Sequence, residues 1–291
     1  QPVLGVGLET ALTERTSDIL QGYRGMGPVR IGNQAHEHFQ HDTYGNVILG
    51  AAPAFFDNRL YMDAGQAAFE MLEPLGEQAW ALHDQPDAGI WELRTRARVH
   101  TSSSLMCWAG CDRLAKIAAH LGLSDRAASW ARRAHEIREK ILANAWSEDR
   151  GAFVESFGGS TLDASVLLMG EVGFIQNDDP RFVSTVDALS LALGKGAFML
   201  RYEEADDFGR PEVGFNVCAF WRVDALARIG RTEEARGYFE DLLAARNHLG
   251  LMSEDSAFTD GAAWGNFPQT YSLVGIVNGA MRLSRSWEAE L

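Results

Sequence analysis

The chain has 291 residues, 46% of them hydrophobic, with 26 Lys+Arg against 40 Asp+Glu and a formal net charge of −14. Such a length buries a large core as one domain or at most two. The acidic balance, with no basic stripe, argues against nucleic acid and anionic membrane surfaces and for neutral or cationic ligands. No apolar run approaches the roughly 18–20 residues of a membrane span, and no basic-then-apolar leader opens the sequence, so a cytoplasmic globular protein is expected. The first residue is Gln1 rather than Met, and the sequence reads as the C-terminal portion of a longer polypeptide, residues 1–291 forming a single catalytic domain.

Taken in chain order, a weak helical pattern covers 9–20 and a short extended piece 29–31, the latter with no evident partner. Helices are predicted over 35–54, 58–80, 103–121, 124–146, 162–171, 180–193, 213–229, 232–246 and 268–285, with a second extended piece at 152–157. The 103–121 stretch is typical. Leu105, Trp108 or Ala109, Leu114, Ile117 or Ala118 and Leu121 recur at the three-to-four spacing of one buried stripe, and Gly122 stops the helix. The 232–246 helix opens on Thr232 with Glu233 and Glu234 after the Gly230 stop, which suits the positive end of the helix dipole. Cys107, Cys111 and Cys218 all sit inside such patterns and read as reduced, buried small hydrophobes. The class is therefore all-α. Tight turns at 122–124 and 230–231 alternate with long connections at 83–101, 147–161, 194–212 and 247–267, so the helices should pair as antiparallel hairpins. An array of such pairs forms an open solenoid or closes into an α/α toroid, with the long loops on one face.

Two of those loops carry the residues with chemistry. Glu92 follows Asp87-Ala88-Gly89-Ile90-Trp91, and Glu254 stands in Leu251-Met252-Ser253-Glu254-Asp255. A pair of carboxyls on opposite walls of a pocket cleaves a glycosidic bond when one protonates the leaving oxygen and the other activates water. The Trp91 indole beside Glu92 would lower the local dielectric and favour its protonated form. Ser253 and Asp255 give Glu254 polar company that favours the ionised one. Taken alone, a glutamate ahead of a helix is usually a solvated surface residue, and a binding scaffold with no chemistry would share much of this composition.

Several stretches, in one order along nearly the whole chain, resemble the glucoamylase-type glycoside hydrolases of family 15, the bacterial branch especially. They are Gly22-Tyr23-Arg24-Gly25, Pro28-Val29-Arg30-Ile31-Gly32-Asn33, Asp42-Thr43-Tyr44-Gly45, Gly89-Ile90-Trp91-Glu92, Leu162-Asp163-Ala164-Ser165, Arg201-Tyr202 and Gly265-Asn266-Phe267-Pro268-Gln269. The resemblance implies a toroid of six helical hairpins and hydrolysis of terminal α-linked glucose with inversion at the anomeric carbon. It matches Glu92 to the general acid and Glu254 to the general base, a pair that in inverting enzymes stands roughly 6.5–9.5 Å apart. It also gives Arg201 a grip on the terminal sugar, against the alternative of a salt bridge with Glu203 or Glu204. Trp91 becomes a sugar platform or a shield for Glu92. Tyr23, Arg30 and Asn33 are expected to line the pocket, with Asp42 and Tyr44 in support and Asp163 in either the core or the site. The family's Trp-Leu-Arg-Asp-type segment, whose arginine and aspartate grip the sugar, has no counterpart in residues 1–291, so about one hairpin is expected to be missing.

The run His36-Glu37-His38-Phe39-Gln40-His41 lacks the helical zinc spacing, because Gln40 stands four after His36. No metal and no cofactor is expected. The expected partner is an oligosaccharide or disaccharide, from starch, dextran-like chains or trehalose, together with the N-terminal part of the same polypeptide or a second copy of the chain. A non-catalytic carbohydrate- or protein-binding toroid is the alternative, and a polysaccharide lyase on the same architecture a third.

Overall fold

The computed structural model describes residues 3–57, 59 and 64–284. The chain divides into two compact units, 1–137 and 138–291. Each is helical, as the apolar spacings require, and among the described residues no helix is long and apolar enough to cross a membrane.

The first unit opens with a two-stranded ribbon, not the helix expected over 9–20. Strand β1 (Arg15–Ser17) pairs antiparallel with β2 (Val29–Ile31), in the register Thr16 opposite Arg30. Thr10, Thr13 and Thr16 favour extended backbone, and Ile19 and Leu20 have nothing to pack on, being 92% and 58% exposed. The extended piece at 29–31 thus has a partner after all. The helix expected over 35–54 is also shorter. Gln34–Glu37 forms one 3-10 turn capped by Asn33, and α1 (Asp42–Ala51) starts only after the backbone at Phe39 and the Gln40 side chain have been engaged by Ala88 and Gly89. A one-turn α2 (Pro53–Phe56) follows. The predicted start of the next helix, near 58, falls largely outside the described residues. Its body is α3 (Gln66–Leu82).

Helix α4 (Thr101–His120) is the axis of this unit, with every residue from Thr101 to Cys111 buried. Helix α1 crosses it at a point where only glycine fits: a Cβ on Gly45 would stand 1.9 Å from the Met106 carbonyl oxygen, and one on Gly110 would stand 3.1 Å from the Gly45 Cα. The Gly122 turn, with φ of 75°, closes α4 by bonds from Leu123 N to Ala118 O (2.8 Å) and Gly122 N to Ala119 O (3.1 Å). Helix α5 (Ser124–Asn144) then returns against α3, where Trp130 Nε1 donates to Glu73 (3.1 Å) and Arg133, stacked 4.5 Å from the Trp130 ring, donates to Glu77 (2.6 Å).

In the second unit the extended piece expected at 152–157 shrinks to a hairpin of β3 (Trp146–Ser147) with β4 (Ala152–Phe153). The helix expected over 162–171 begins as a 3-10 turn, Ala164–Leu167, capped by Asp163, and ends as the single turn α6 (Leu168–Glu171). Helix α7 (Pro180–Leu193) has Asp179 as its N-cap and Pro180 in its first turn, where no amide hydrogen is needed. The hairpin of β5 (Gly194–Lys195) and β6 (Phe198–Met199) leads to β7 (Gly214–Phe215) and into α8 (Asn216–Arg228). Arg222 of α8 is fully buried. It donates to the carbonyls of Gly196 and Ala197 (2.8 and 2.7 Å) and lies 3.9 Å from the Tyr238 ring centroid. Helix α9 (Thr232–Ala244) packs on α8, Phe220 meeting Phe239 edge to face. Strands β8 (Asp255–Ser256) and β9 (Ala263–Trp264) join β7 in a three-stranded sheet of order β7-β8-β9. The last helix, α10 (Thr270–Leu283), brings Gly275 and Gly279 against those two phenylalanines. Cys107, Cys111 and Cys218 are free and buried in α4 and α8.

Candidate active site

In the first unit, the loop that carries Glu92 is fixed by Asp87, which is 2% exposed. Its carboxylate accepts from His41 N (2.8 Å), Gly89 N (3.1 Å) and Ser103 Oγ (2.7 Å), while its backbone exchanges bonds with Arg98. This one buried acid ties the N-terminus of α1 and the first turn of α4 to the loop between 83 and 100. Past it the chain turns tightly. Leu93 N reaches Ala88 O (3.0 Å), Glu92 N reaches Gly89 O (3.1 Å), and Glu92 sits at φ 57°. A left-handed glutamate costs on the order of 1 kcal/mol, and such strain persists where the surroundings over-determine it, commonly at sites of chemistry. Trp91 and Glu92 are both half-buried.

Of the predicted pocket residues of this unit, Arg30 meets Glu14, a residue that carried no role in the sequence reading. Arg94 grips both of its carboxylate oxygens at 2.8 Å, Arg30 adds a third contact at 2.6 Å, and Gln34 accepts from Arg94 at 2.9 Å. The Arg94 hydrogen bonds, with smaller help from Gln34 N and Arg30, hold the Glu14 carboxyl down to about 2. Arg30 therefore anchors the β1–β2 ribbon beside the Glu92 loop. Asn33 accepts from Ala35 N (2.9 Å) and is engaged as a cap. Tyr23 is 57% exposed, with the Arg24 guanidinium 5.2 Å from its ring.

Asp42, the first residue of α1, feels the charge of Asp87. It is 7% exposed; Asn46 Nδ2 donates to one of its oxygens (3.0 Å), and the other has no hydrogen-bond partner among the described residues. Burial, and next the charge of Asp87, push its carboxyl up to about 6. Because the folded value lies above the unfolded one, near 4, the folded state binds more protons between the two, and stability falls as pH rises from about 4 to 6. Asp42→Asn should therefore stabilise the protein by about 1–2 kcal/mol at pH 7.5 and by little at pH 4. Thermal melts of both proteins at the two pH values check this; an equal effect at both would contradict it.

In the second unit, Glu254 is pinned on every side. Its N–H donates to Asn266 O and its carbonyl accepts from Asn216 N, each at 2.9 Å. The Ser253 carbonyl before it accepts from Asn216 Nδ2 (2.9 Å) and Ser272 Oγ (2.8 Å), so the first turns of α8 and α10 hold the segment from both flanks. Its Oε2 accepts from Asn266 N (3.0 Å) and Asn266 Nδ2 (2.9 Å), and its Oε1 from Gln269 Nε2 (3.4 Å). Asp255 lies beside it, half-buried. Burial and the Glu254 charge push its carboxyl up to about 7, against the opposing pull of Arg201.

Arg201 pairs with neither Glu203 nor Glu204, the alternatives raised by sequence. Glu203 is taken by Arg150 (3.0 Å), whereas Arg201 donates to Asp206 (3.1 Å) and lies over the rings of Tyr202 and Phe215. Its Nε is buried with no hydrogen-bond partner among the described residues. Tyr202 also donates to Asp206, and Asp163 caps its own 3-10 turn while bridging the Tyr202 backbone. The unit thus assembles Glu254, Asp255 and Arg201 as one polar cluster. Asp206 had no role in the sequence reading, and Asp255 entered it only as polar company for Glu254. The Gly-Asn-Phe-Pro-Gln run that holds Glu254 was visible there only as a motif.

The His36–His41 run does not gather. His36 meets only Glu37 (3.7 Å), and among the described residues no three His, Cys, Asp or Glu side chains form a metal-ligand set.

With this geometry in place, residues 6–280 match the sequence profile of Glycosyl hydrolases family 15. The chain belongs to glycosyl hydrolase family 15. A trehalase of Mycolicibacterium smegmatis is 35% identical over 99% of this chain and 43% of its own length, and a trehalase of Mycobacterium tuberculosis 36% identical over 99% and 42%. The chain thus spans less than half the length of these curated relatives. A solved glycosidase superposes with a TM-score of 0.70 at 22% identity, covering 89% of this chain and 72% of that one. That likeness carries the fold, which is the all-α, helical-hairpin class of the α/α toroids expected from the sequence.

Proposed function

We propose that residues 1–291 serve as one catalytic domain of a cytoplasmic, trehalase-like glycoside hydrolase that cleaves an α-linked glucoside with inversion. Glu92 is its general acid and Glu254 its general base. The observation that carries this reading is the bonding of Glu254. A glutamate held by its own backbone on both sides, and given three donors within one family-15 motif, is an acceptor fixed in direction, as a base must be. The strained backbone at Glu92 and the identity to two trehalases support the rest.

In the reaction, Glu92 passes its proton to the glycosidic oxygen as the bond to the anomeric carbon breaks. Glu254 takes a proton from a water molecule whose oxygen attacks that carbon from the opposite face. One bond breaks and one forms, so the sugar whose anomeric carbon is attacked is released as the β-anomer, and the leaving sugar keeps its own configuration. Arg201 supplies a fork of donors to sugar hydroxyls, and Trp91 offers a sugar an apolar face. No cofactor takes part.

The test is glucose release from trehalose, maltose, isomaltose and a dextran oligomer, with trehalose expected to be cleaved fastest. Equal or faster cleavage of the others would move the substrate toward glucoamylase or glucodextranase. Sugar binding without turnover would favour the non-catalytic binder.

A further inference from the structure

We propose that Asp255 is a second functional carboxyl at the base site, a group that keeps its proton to donate a hydrogen bond to a substrate hydroxyl while Glu254 accepts, and whose ionisation closes the activity on the alkaline side. This rests on the reading of Glu254 as the base.

Two carboxyls meet at one place here. A Cβ built on Gly265, whose φ is 70°, would stand 2.7 Å from Glu254 Oε2 and 2.8 Å from Asp255 Oδ2. Only a residue without a side chain leaves both oxygens their position. The environments of the two differ sharply. Glu254 accepts from Asn266 N, Asn266 Nδ2 and Gln269 Nε2, whereas no side chain or backbone amide among the described residues donates to the Asp255 carboxyl. An ionised carboxylate is an acceptor only, and a half-buried one with no donor is poorly placed; a protonated one becomes a donor.

The surrounding groups agree. From its own strand Asp255 faces the Glu254 charge. From the segment after β6 it feels Arg201, whose guanidinium is already committed to Asp206. From α8 comes the Cys218 thiol, which burial keeps protonated. Its strand partners, Phe215 on β7 and Trp264 on β9, bring no charge. Burial and a like charge at one side outweigh one shared cation, and the proton is retained up to about 7. Environments that push neighbouring carboxyls apart divide their roles: one accepts, the other donates.

The test joins a carboxyl titration to a pH profile. Carbon-13 carboxyl NMR of the wild-type chain should show, in addition to Asp42, which titrates at about 6, a side chain titrating near neutrality. That signal should be absent from Asp255→Asn and should move to lower pH in Glu254→Gln, where the like charge is gone. Asn keeps a donor and cannot ionise. Asp255→Asn is therefore expected to lose less kcat/KM on trehalose than Asp255→Ala and to move the alkaline midpoint up by about one pH unit or more, whereas Asp255→Ala loses about 10–100-fold, mostly in KM. An unmoved alkaline midpoint in Asp255→Asn, or a wild-type titration with no carboxyl near neutrality besides Asp42, overturns the proposal. If the wild-type chain turns over no glucoside, the hydrolase reading fails instead, and the titration still decides where the proton sits.

Discussion

Glu254→Gln and Glu92→Gln are each expected to lower kcat on the best glucoside by about 10²–10⁴-fold, the range that a positioned acid or base supplies, while leaving the fold intact. For Glu254 the fold should survive because glutamine keeps the shape and one carbonyl oxygen. Asn266 N and Nδ2 can still donate to that oxygen, and the backbone bonds to Asn216 and Asn266 do not involve the side chain. For Glu92 the turn is held by Leu93 N to Ala88 O and by the Asp87 anchor beneath it, neither of which touches the glutamate carboxyl. Steady-state kinetics with a thermal melt on each variant check both halves of the expectation. Turnover within tenfold of wild type would remove the residue from the chemistry. A large loss of melting temperature at Glu92 would make it a structural residue of the loop.

The second large effect is on stability. Gly45→Ala places a methyl group 1.9 Å from the Met106 carbonyl oxygen, in the crossing of α1 with α4. The obstacle is backbone inside a buried helix, so no side chain can swing away and the helices must separate. Overpacking of a well-filled core costs typically 1–3 kcal/mol, and against rigid backbone we expect about 3 kcal/mol or more, roughly 6–12 °C of melting temperature. Activity should fall with it, since α1 starts at the residue after His41, whose N–H holds Asp87 and through it the Glu92 loop. Gly50→Ala is the control on the same helix, with nothing within 4 Å of the added Cβ; it should be neutral or stabilise by up to about 1 kcal/mol. Equal melting temperatures for the two variants would refute the close crossing.

The helices that sequence fixed well were those with a one-sided or complete apolar stripe: Leu105, Leu114 and Ile117 of α4 are all fully buried, and the Gly122 stop closes as a helix terminus should. Where a stretch had apolar residues but no stripe, as around Ile19 and Leu20, periodicity was silent and threonine's preference for extended backbone decided the outcome. Long-range bonds decided the start of α1: nothing within 35–41 announces that Phe39 O and the Gln40 amide are spoken for by residues 88 and 89. The same holds for the site. Glu92 and Glu254 stood out because their loops carry motif residues, but the true partner of Arg201 is Asp206, five positions on, where sequence proximity pointed to Glu203 and Glu204. Asp255 entered the sequence reading only as polar company for Glu254. Its distinct character comes from burial and from the absence of donors, properties of the folded sheet that no spacing in the chain encodes.

The most direct measurement is proton NMR of the anomeric signals during the first minutes of trehalose hydrolysis, before mutarotation blurs them. Acid–base cleavage with inversion by Glu92 and Glu254 predicts α- and β-glucose appearing in equal amounts. Release of α-glucose alone would mean net retention and would contradict the roles assigned to both residues.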